Sequence, residues 1–276
     1  MFARNLPRAF CAGFALMAMR IYGFARPKRR EIVVQNLLPA LNHDRAAAER
    51  MSRSLFRQFA LKLTDLLGFE AGLPVENLFT ELTGWEHFLA AQHEKRGVLL
   101  LTPHLGNWEF GAPLLTQRGY QLQVITLAEP GSGLTEMRQA SRAKWGIETL
   151  VIGEDPFAFV EVIRRLEGGA TVALLMDRPP EASAVTVELF GRPFSASISA
   201  AELARASGCV LLPVYLPRNH HGYAAHILPA VPYDRAALRQ REARLQLTRE
   251  IMRAFEPAIR QHLDQWYHFV PIWPKS

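Results

Sequence analysis

The chain has little cysteine and no long hydrophobic run. Cys11 and Cys209 are the only thiols in 276 residues. Two such distant cysteines build neither a disulfide framework nor a four-thiolate zinc site, and they fit a reducing, cytoplasmic setting. The apolar run near the N-terminus, residues 9–19, is eleven residues long. A spanning helix needs about 20. No small-x-small cleavage site of a signal peptide precedes the basic block that follows it. G-x-S-x-G is absent, which argues against a hydrolase nucleophile elbow. G-x-x-x-x-G-K-[ST], G-x-G-x-x-G and H-E-x-x-H are absent too, so nucleotide loops and a zincin site lack support. No repeat, low-complexity stretch or Pro/Gly/Ser-rich linker divides the chain.

Acids are also in the minority, 26 against 32 lysines and arginines, a formal net charge of +6. A basic balance suits nucleic acid, an anionic membrane surface or an acidic protein. The cations are spread along several predicted helices without interleaved aromatics, so nucleic acid is not the expected partner. Apolar residues make up 49% and charged residues 21%, a globular composition long enough to bury a full core.

Arg4 and Arg8 precede the apolar run, and Arg20, Arg26, Lys28, Arg29 and Arg30 follow it. Apolar residues flanked by arginines predict a helix lying in a membrane interface, with a buried first helix of the core as the alternative. Residues 1–30 are therefore read as a membrane-associated segment and 31–276 as one folded domain. Helices are predicted from Asp44 to Leu67, over 84–92, 134–145, 157–166 and 198–206, and over 235–262 with a break or bend near Pro257. Strands are predicted over 98–101, 122–127, 148–152, 172–176, 185–190, 210–216 and 223–228. A loop is predicted at Pro130–Gly133. The alternation predicts an α/β fold with a mostly parallel central sheet flanked by helices.

The chemistry is expected at 99–115, LLLTPHLGNWEFGAPLL. A buried strand ends at Thr102-Pro103, and His104, Gly106, Asn107 and Glu109 follow. The carboxyl edge of an α/β sheet is where such folds keep their sites. Asn107 is a candidate cap for the next helix. His104 and Glu109 meet only if His104 lies outside that helix and Glu109 within its first turn. A carboxylate on one imidazole nitrogen would leave the other as a general base. The plainer alternative is a partly buried histidine beside an exposed glutamate. His220 and His221 read as a solvated turn rather than metal ligands, and no metal is expected.

Three stretches together resemble one family. They are PHLGNWE; Arg142 with Gly146 in RQASRAKWGIETLVI; and ALLMDRPPEASAVTVELFGRPFSASISAAELARASGCVLLPVY. The chain resembles the late, lauroyl/myristoyl-type lipid A biosynthesis acyltransferases, within the lysophospholipid acyltransferase superfamily, over about residues 30–273. The resemblance implies a glycerolipid-acyltransferase-like fold and a membrane-associated O-acyltransferase at the cytoplasmic face of a bacterial inner membrane. It implies His104 as catalytic base and Glu109 as the acid that orients it. Asn107, Arg142, Asp177 and Arg178 are then substrate-binding candidates, with Arg178 in place of the family's usual Gln. The implied donor is acyl carrier protein or acyl-CoA, the implied acceptor a lipid or glycolipid hydroxyl, with no cofactor. Arg138, Arg142 and Lys144 are the cations expected to meet an acidic carrier. A non-catalytic lipid-binding or scaffold protein of the same fold, and a lipid hydrolase, are the alternatives.

Overall fold

The computed structural model describes residues 7–74, 76–127, 136, 139–140, 142–152 and 157–274. The predicted Pro130–Gly133 loop and Arg138 lie outside them, as do five of the twelve positions of the helix predicted over 134–145.

A seven-stranded sheet carries the fold. Its strands are β1 (Phe79–Thr83), β2 (Val98–Thr102), β3 (Gln123–Leu127), β4 (Glu148–Ile152), β5 (Thr171–Leu175), β8 (Val210–Tyr215) and β9 (Tyr223–Ile227), in the spatial order β1-β9-β8-β2-β5-β3-β4. Every pair is parallel except β8 with β9. β2 lies between β8 and β5, and all five of its residues are buried, as its unbroken VLLLT run requires. The short, largely exposed β1 was not among the predicted strands. β6 (Ala184–Leu189) and β7 (Arg192–Ser197) form a separate antiparallel hairpin, with Arg192-Pro193 at the start of β7.

Helices α1 (Arg8–Ala25), α2 (Pro27–Leu37) and α3 (Arg45–Glu70) precede the sheet. The Asp44 carboxylate accepts the Ala47 amide and caps α3. Leu55, Phe56 and Ala60 bury one face of it. Further along are α4 (Trp85–His93), α5 (Gly111–Thr116), α6 (Ala158–Glu167), α7 (Ser199–Ser207) and α8 (Arg241–Gln261). α8 starts later than predicted and runs through Pro257. That proline is exposed, so water can satisfy the carbonyl it leaves unpaired.

α1 lies along α3. Arg8 reaches Asp65 at 2.6 Å, and the same buried carboxylate accepts the Tyr223 hydroxyl at 2.9 Å. No residue of α1 is buried. Phe10, Phe14, Met17, Ile21 and Phe24 are exposed at spacings of four, three, four and three, which makes one stripe. Among the described residues no helix is long and apolar enough to cross a membrane.

Segment 265–273 returns across the carboxyl edge of the sheet. The Gly106 amide donates to the Gln265 carbonyl and the Tyr267 amide to the His104 carbonyl. Asn36 of α2 holds the segment from outside. Its Nδ2 donates to the carbonyls of His268 and Val270, and its Oδ1 accepts the Ile272 amide.

Gly106 is, with Gly84, one of the tightest points. Its φ is +62°, and an added Cβ would lie 1.9 Å from the Leu216 carbonyl oxygen. Gly106→Ala should destabilise by about 2–4 kcal/mol, combining left-handed strain with a backbone clash. Gly119→Ala, with φ +83° but open space around it, should lose only about 1–2 kcal/mol. Urea denaturation of the two variants checks this, and equal losses would remove the clash from the account.

Candidate active site

The in-register pairing of two parallel strands brings the site together. Thr102 of β2 faces Leu175 of β5. His104 and Asp177 each lie two residues beyond, so they emerge side by side at the carboxyl edge. The His104 amide donates to both Asp177 carboxylate oxygens, at 3.1 and 2.9 Å. The imidazole Nδ1 lies 2.6 Å from Asp177 Oδ1. With Nδ1–H donating to Asp177, Nε2 is the nitrogen left available to a substrate.

This differs from the expected pairing with Glu109. The Glu109 carboxylate is instead engaged by Arg142, whose Nη2 donates at 2.9 and 3.0 Å and Nε at 3.2 Å. The reason is geometric. Spacing along the chain made Glu109 a neighbour in sequence, whereas strand register supplies Asp177 from 73 residues away. Asp177 was expected to contact substrate, yet it is 1% exposed and ringed by protein donors. Trp266 Nε1 donates to its Oδ2 at 2.7 Å, and His268 Nε2 lies 3.0 Å from the same oxygen.

Burial alone would raise the Asp177 carboxyl. Electrostatic attraction and hydrogen bonds from the His104 and His268 rings outweigh it, so the group is held well below the usual carboxylate range. His268 is pushed down by its burial, against the opposing pull of Asp177. It therefore sits neutral and donates its Nε2 proton.

Asn107 differs from expectation as well. It precedes a 3₁₀ turn at Trp108–Phe110, but its side chain makes no cap bond. The side chain is fully buried, near the Tyr223 hydroxyl, and does not line the cavity beside His104. Its backbone amide is already tied to the Leu216 carbonyl. Trp266 and His268 were not singled out in the sequence. They fall in an aromatic stretch, QWYHFVPIW, with neither helical nor strand periodicity; a lone histidine among those aromatics was the available signal.

His104 opens onto a cavity of about 840 Å³, within the range of ligand pockets. Its walls are largely apolar, with Leu100, Leu115, Val124, Ala173 and Ile198 among them, and Glu109, Arg142 and Arg178 are its charged members near the histidine. Arg178 is exposed at the rim, and Arg142 keeps one buried guanidinium nitrogen, Nη1, without a hydrogen bond among the described residues. Trp108 packs edge-on to the His104 ring at 5.0 Å, and the buried Lys62 ammonium lies over the Trp108 face.

A half-buried histidine on a buried carboxylate, lining a largely apolar cavity at the carboxyl edge of a mostly parallel sheet, is the site of an α/β protein suited to an apolar ligand. The chain belongs to the bacterial lipid A biosynthesis acyltransferases, whose family pattern it matches over residues 2–275. It is similar to the phosphatidylinositol mannoside acyltransferase of Mycobacterium tuberculosis (strain CDC 1551 / Oshkosh), 27% identical over 195 residues, covering 69% of this chain and 58% of that protein. The protein of the same name from Mycolicibacterium smegmatis is 24% identical over 190 residues, 68% of this chain and 60% of that one. The chain thus spans somewhat under two thirds of these relatives.

Stability should fall with acid in two windows. Just below pH 6.5 the unfolded chain protonates His268, while the folded protein, with its lowered pKa, does not. Below about pH 4 the same inequality holds for Asp177, so its contribution is full above that pH and is lost towards its depressed folded pKa. His226 and His262, both also lowered mainly by burial, add to the first window. Urea midpoints should therefore drop between pH 7 and 5, with a shallower drop in His268→Gln. An unchanged slope in that variant would remove His268 from the account.

Proposed function

We propose that the protein transfers a fatty acyl chain from a thioester donor, acyl carrier protein or acyl-CoA, to a hydroxyl of a glycolipid of the lipid A or phosphatidylinositol mannoside type. The observation that carries this reading is the His104–Asp177 pair, with its ring lining the apolar cavity. His104 Nε2 takes the acceptor hydroxyl proton as the oxygen attacks the thioester carbonyl. The tetrahedral intermediate collapses, the C–S bond breaks, and the departing thiolate receives the proton from the imidazolium. Asp177 fixes the tautomer and stabilises the transient imidazolium. A thioester is reactive enough for direct attack, so the step as written involves no covalent enzyme intermediate and no cofactor.

The apolar cavity walls suit the acyl chain. Arg142, neutralised on one side by Glu109, offers its spare Nη1 to an anionic substrate group. Arg178 at the rim is placed to meet a phosphate of donor or acceptor. The exposed stripe of α1, with Arg20, Arg26, Lys28, Arg29 and Arg30 nearby, suits attachment to an anionic leaflet, read as the cytoplasmic face of a bacterial inner membrane.

His104→Ala and Asp177→Asn should each lower acyl transfer by about 10²–10⁴-fold, and the double variant should be little worse, because the two side chains act as a unit. Initial rates with acyl-CoA and isolated bacterial glycolipid check this. Wild-type turnover in His104→Ala would end the mechanism.

Replacing Phe10, Phe14 and Ile21 together by Ser should weaken binding to vesicles containing anionic lipid while leaving the circular dichroism spectrum intact. Equal co-sedimentation of wild type and variant would shift the attachment to another surface.

A further inference from the structure

His268 is absent from every role assigned so far, yet it shares a carboxylate oxygen with Trp266 directly behind the proposed base. Its side chain is 1% exposed. Its Nε2 lies 3.0 Å from Asp177 Oδ2, and its ring centroid is 5.4 Å from that of His104. Asp177 is thus divided between two faces. Oδ1 serves the His104 ring, and Oδ2 is held by Trp266 and His268 from segment 265–273.

The segment has little freedom to give that hold up. Trp266 is packed between Phe190 and Phe194 of the β6–β7 hairpin, each with its ring centroid 6.0 Å away. The His268 carbonyl is tied to Asn36. The His268 Nδ1 is buried and has no hydrogen-bond partner among the described residues. A buried imidazole with one satisfied nitrogen is held as the neutral Nε2–H form, because a second proton on Nδ1 would be buried without an acceptor. The charged and titratable groups that face His268 are Asp177, His104 and Arg178.

We infer that His268 is a positioning residue for acyl transfer: its Nε2–H, together with Trp266, pins Asp177 Oδ2 so that Oδ1 is presented, ionised and aligned, to His104 Nδ1. The inference rests on His104 acting as the base. A carboxylate held only by its His104 contacts could rotate, sharing its charge between both oxygens and letting the imidazole tilt. Withdrawing the donor would also leave more negative charge facing His104, which makes that ring more basic.

The test compares two isosteres. His268→Gln places an amide N–H near the position of Nε2, whereas His268→Asn places it near Nδ1, too short to reach Asp177. The probe is diethyl pyrocarbonate, which modifies unprotonated imidazole. Its rate at the His104 peptide is read by mass spectrometry from pH 5 to 8 on full-length folded protein. Wild type and His268→Gln should share one midpoint, and His268→Asn should move it upward by about 0.5 pH unit. Acyl-CoA turnover with bacterial glycolipid should fall about 10–100-fold in kcat for His268→Asn, the scale of one lost hydrogen bond to a charged group. KM should stay within a factor of about two, since His268 touches no substrate. Should His268→Asn not fold, Trp266→Phe removes the other donor to the same oxygen and should shift the midpoint the same way. Identical midpoints for wild type and the donor-lacking variant, or a His268→Gln protein that behaves like His268→Asn, would overturn the inference. The modification rate reports the coupling whether or not His104 is the base. Turnover of His104→Ala tests the base itself, so the two failures are told apart.

Discussion

The structure depends on keeping one carboxylate charged where there is no water. Asp177 is almost wholly buried, and an isolated ionised group there would be strongly unfavourable. The His104 amide and ring, Trp266 and His268 converge on it. They come from the end of β2 and from a segment about ninety residues beyond Asp177. Together they compensate the buried charge, so the carboxylate couples the parts of the site to one another. The same arrangement gives the histidine its tautomer. Stability and chemistry here draw on one set of hydrogen bonds.

The surrounding elements can be understood as supports for that convergence. β2 and β5 set the register that places His104 beside Asp177. Gly106 takes a left-handed turn, so the loop after β2 can lie flat against Leu216 and against segment 265–273. The β6–β7 hairpin supplies the aromatic wall on which Trp266 rests. α2 contributes Asn36, whose side-chain amide holds two carbonyls and one amide of the returning segment. Glu109 and Arg142 form a separate pair on the cavity side, leaving the buried carboxylate undisturbed.

Much of the fold was legible in the sequence because it is written locally. The VLLLT run can hardly be anything but a central strand, and the Asp44 cap with its apolar stripe announces α3. The resemblance that named the family lay in short contiguous motifs. What the sequence could not carry was long-range register. That Asp177, and not Glu109, takes Nδ1 follows from Thr102 facing Leu175, a pairing no spacing rule contains. Trp266 and His268 were hidden for a related reason: a segment that makes only isolated bridges shows no period. Edge strand β1 was missed because FTELT is short and mostly exposed, with too little alternation to register. Asn107 misled through its residue type, since the position before a helical turn favours a cap while its side chain is buried near the Tyr223 hydroxyl instead.

The Asn36 clasp sets how the protein should lose function on warming. The 265–273 segment is held by the three Asn36 bonds, by side-chain packing and by isolated backbone bonds rather than by a continuous ladder, so a local opening there is separable from unfolding of the sheet. Opening the segment strips Trp266 and His268 from Asp177 and leaves the carboxylate held by His104 alone. The sheet would still be intact, its spectroscopic signature unchanged, while the site had come apart. Operational lifetime is then governed by a local opening event and is separate from the global melting temperature. Reinforcing the core strands would do little to prolong it, whereas an added tie between α2 and the returning segment would.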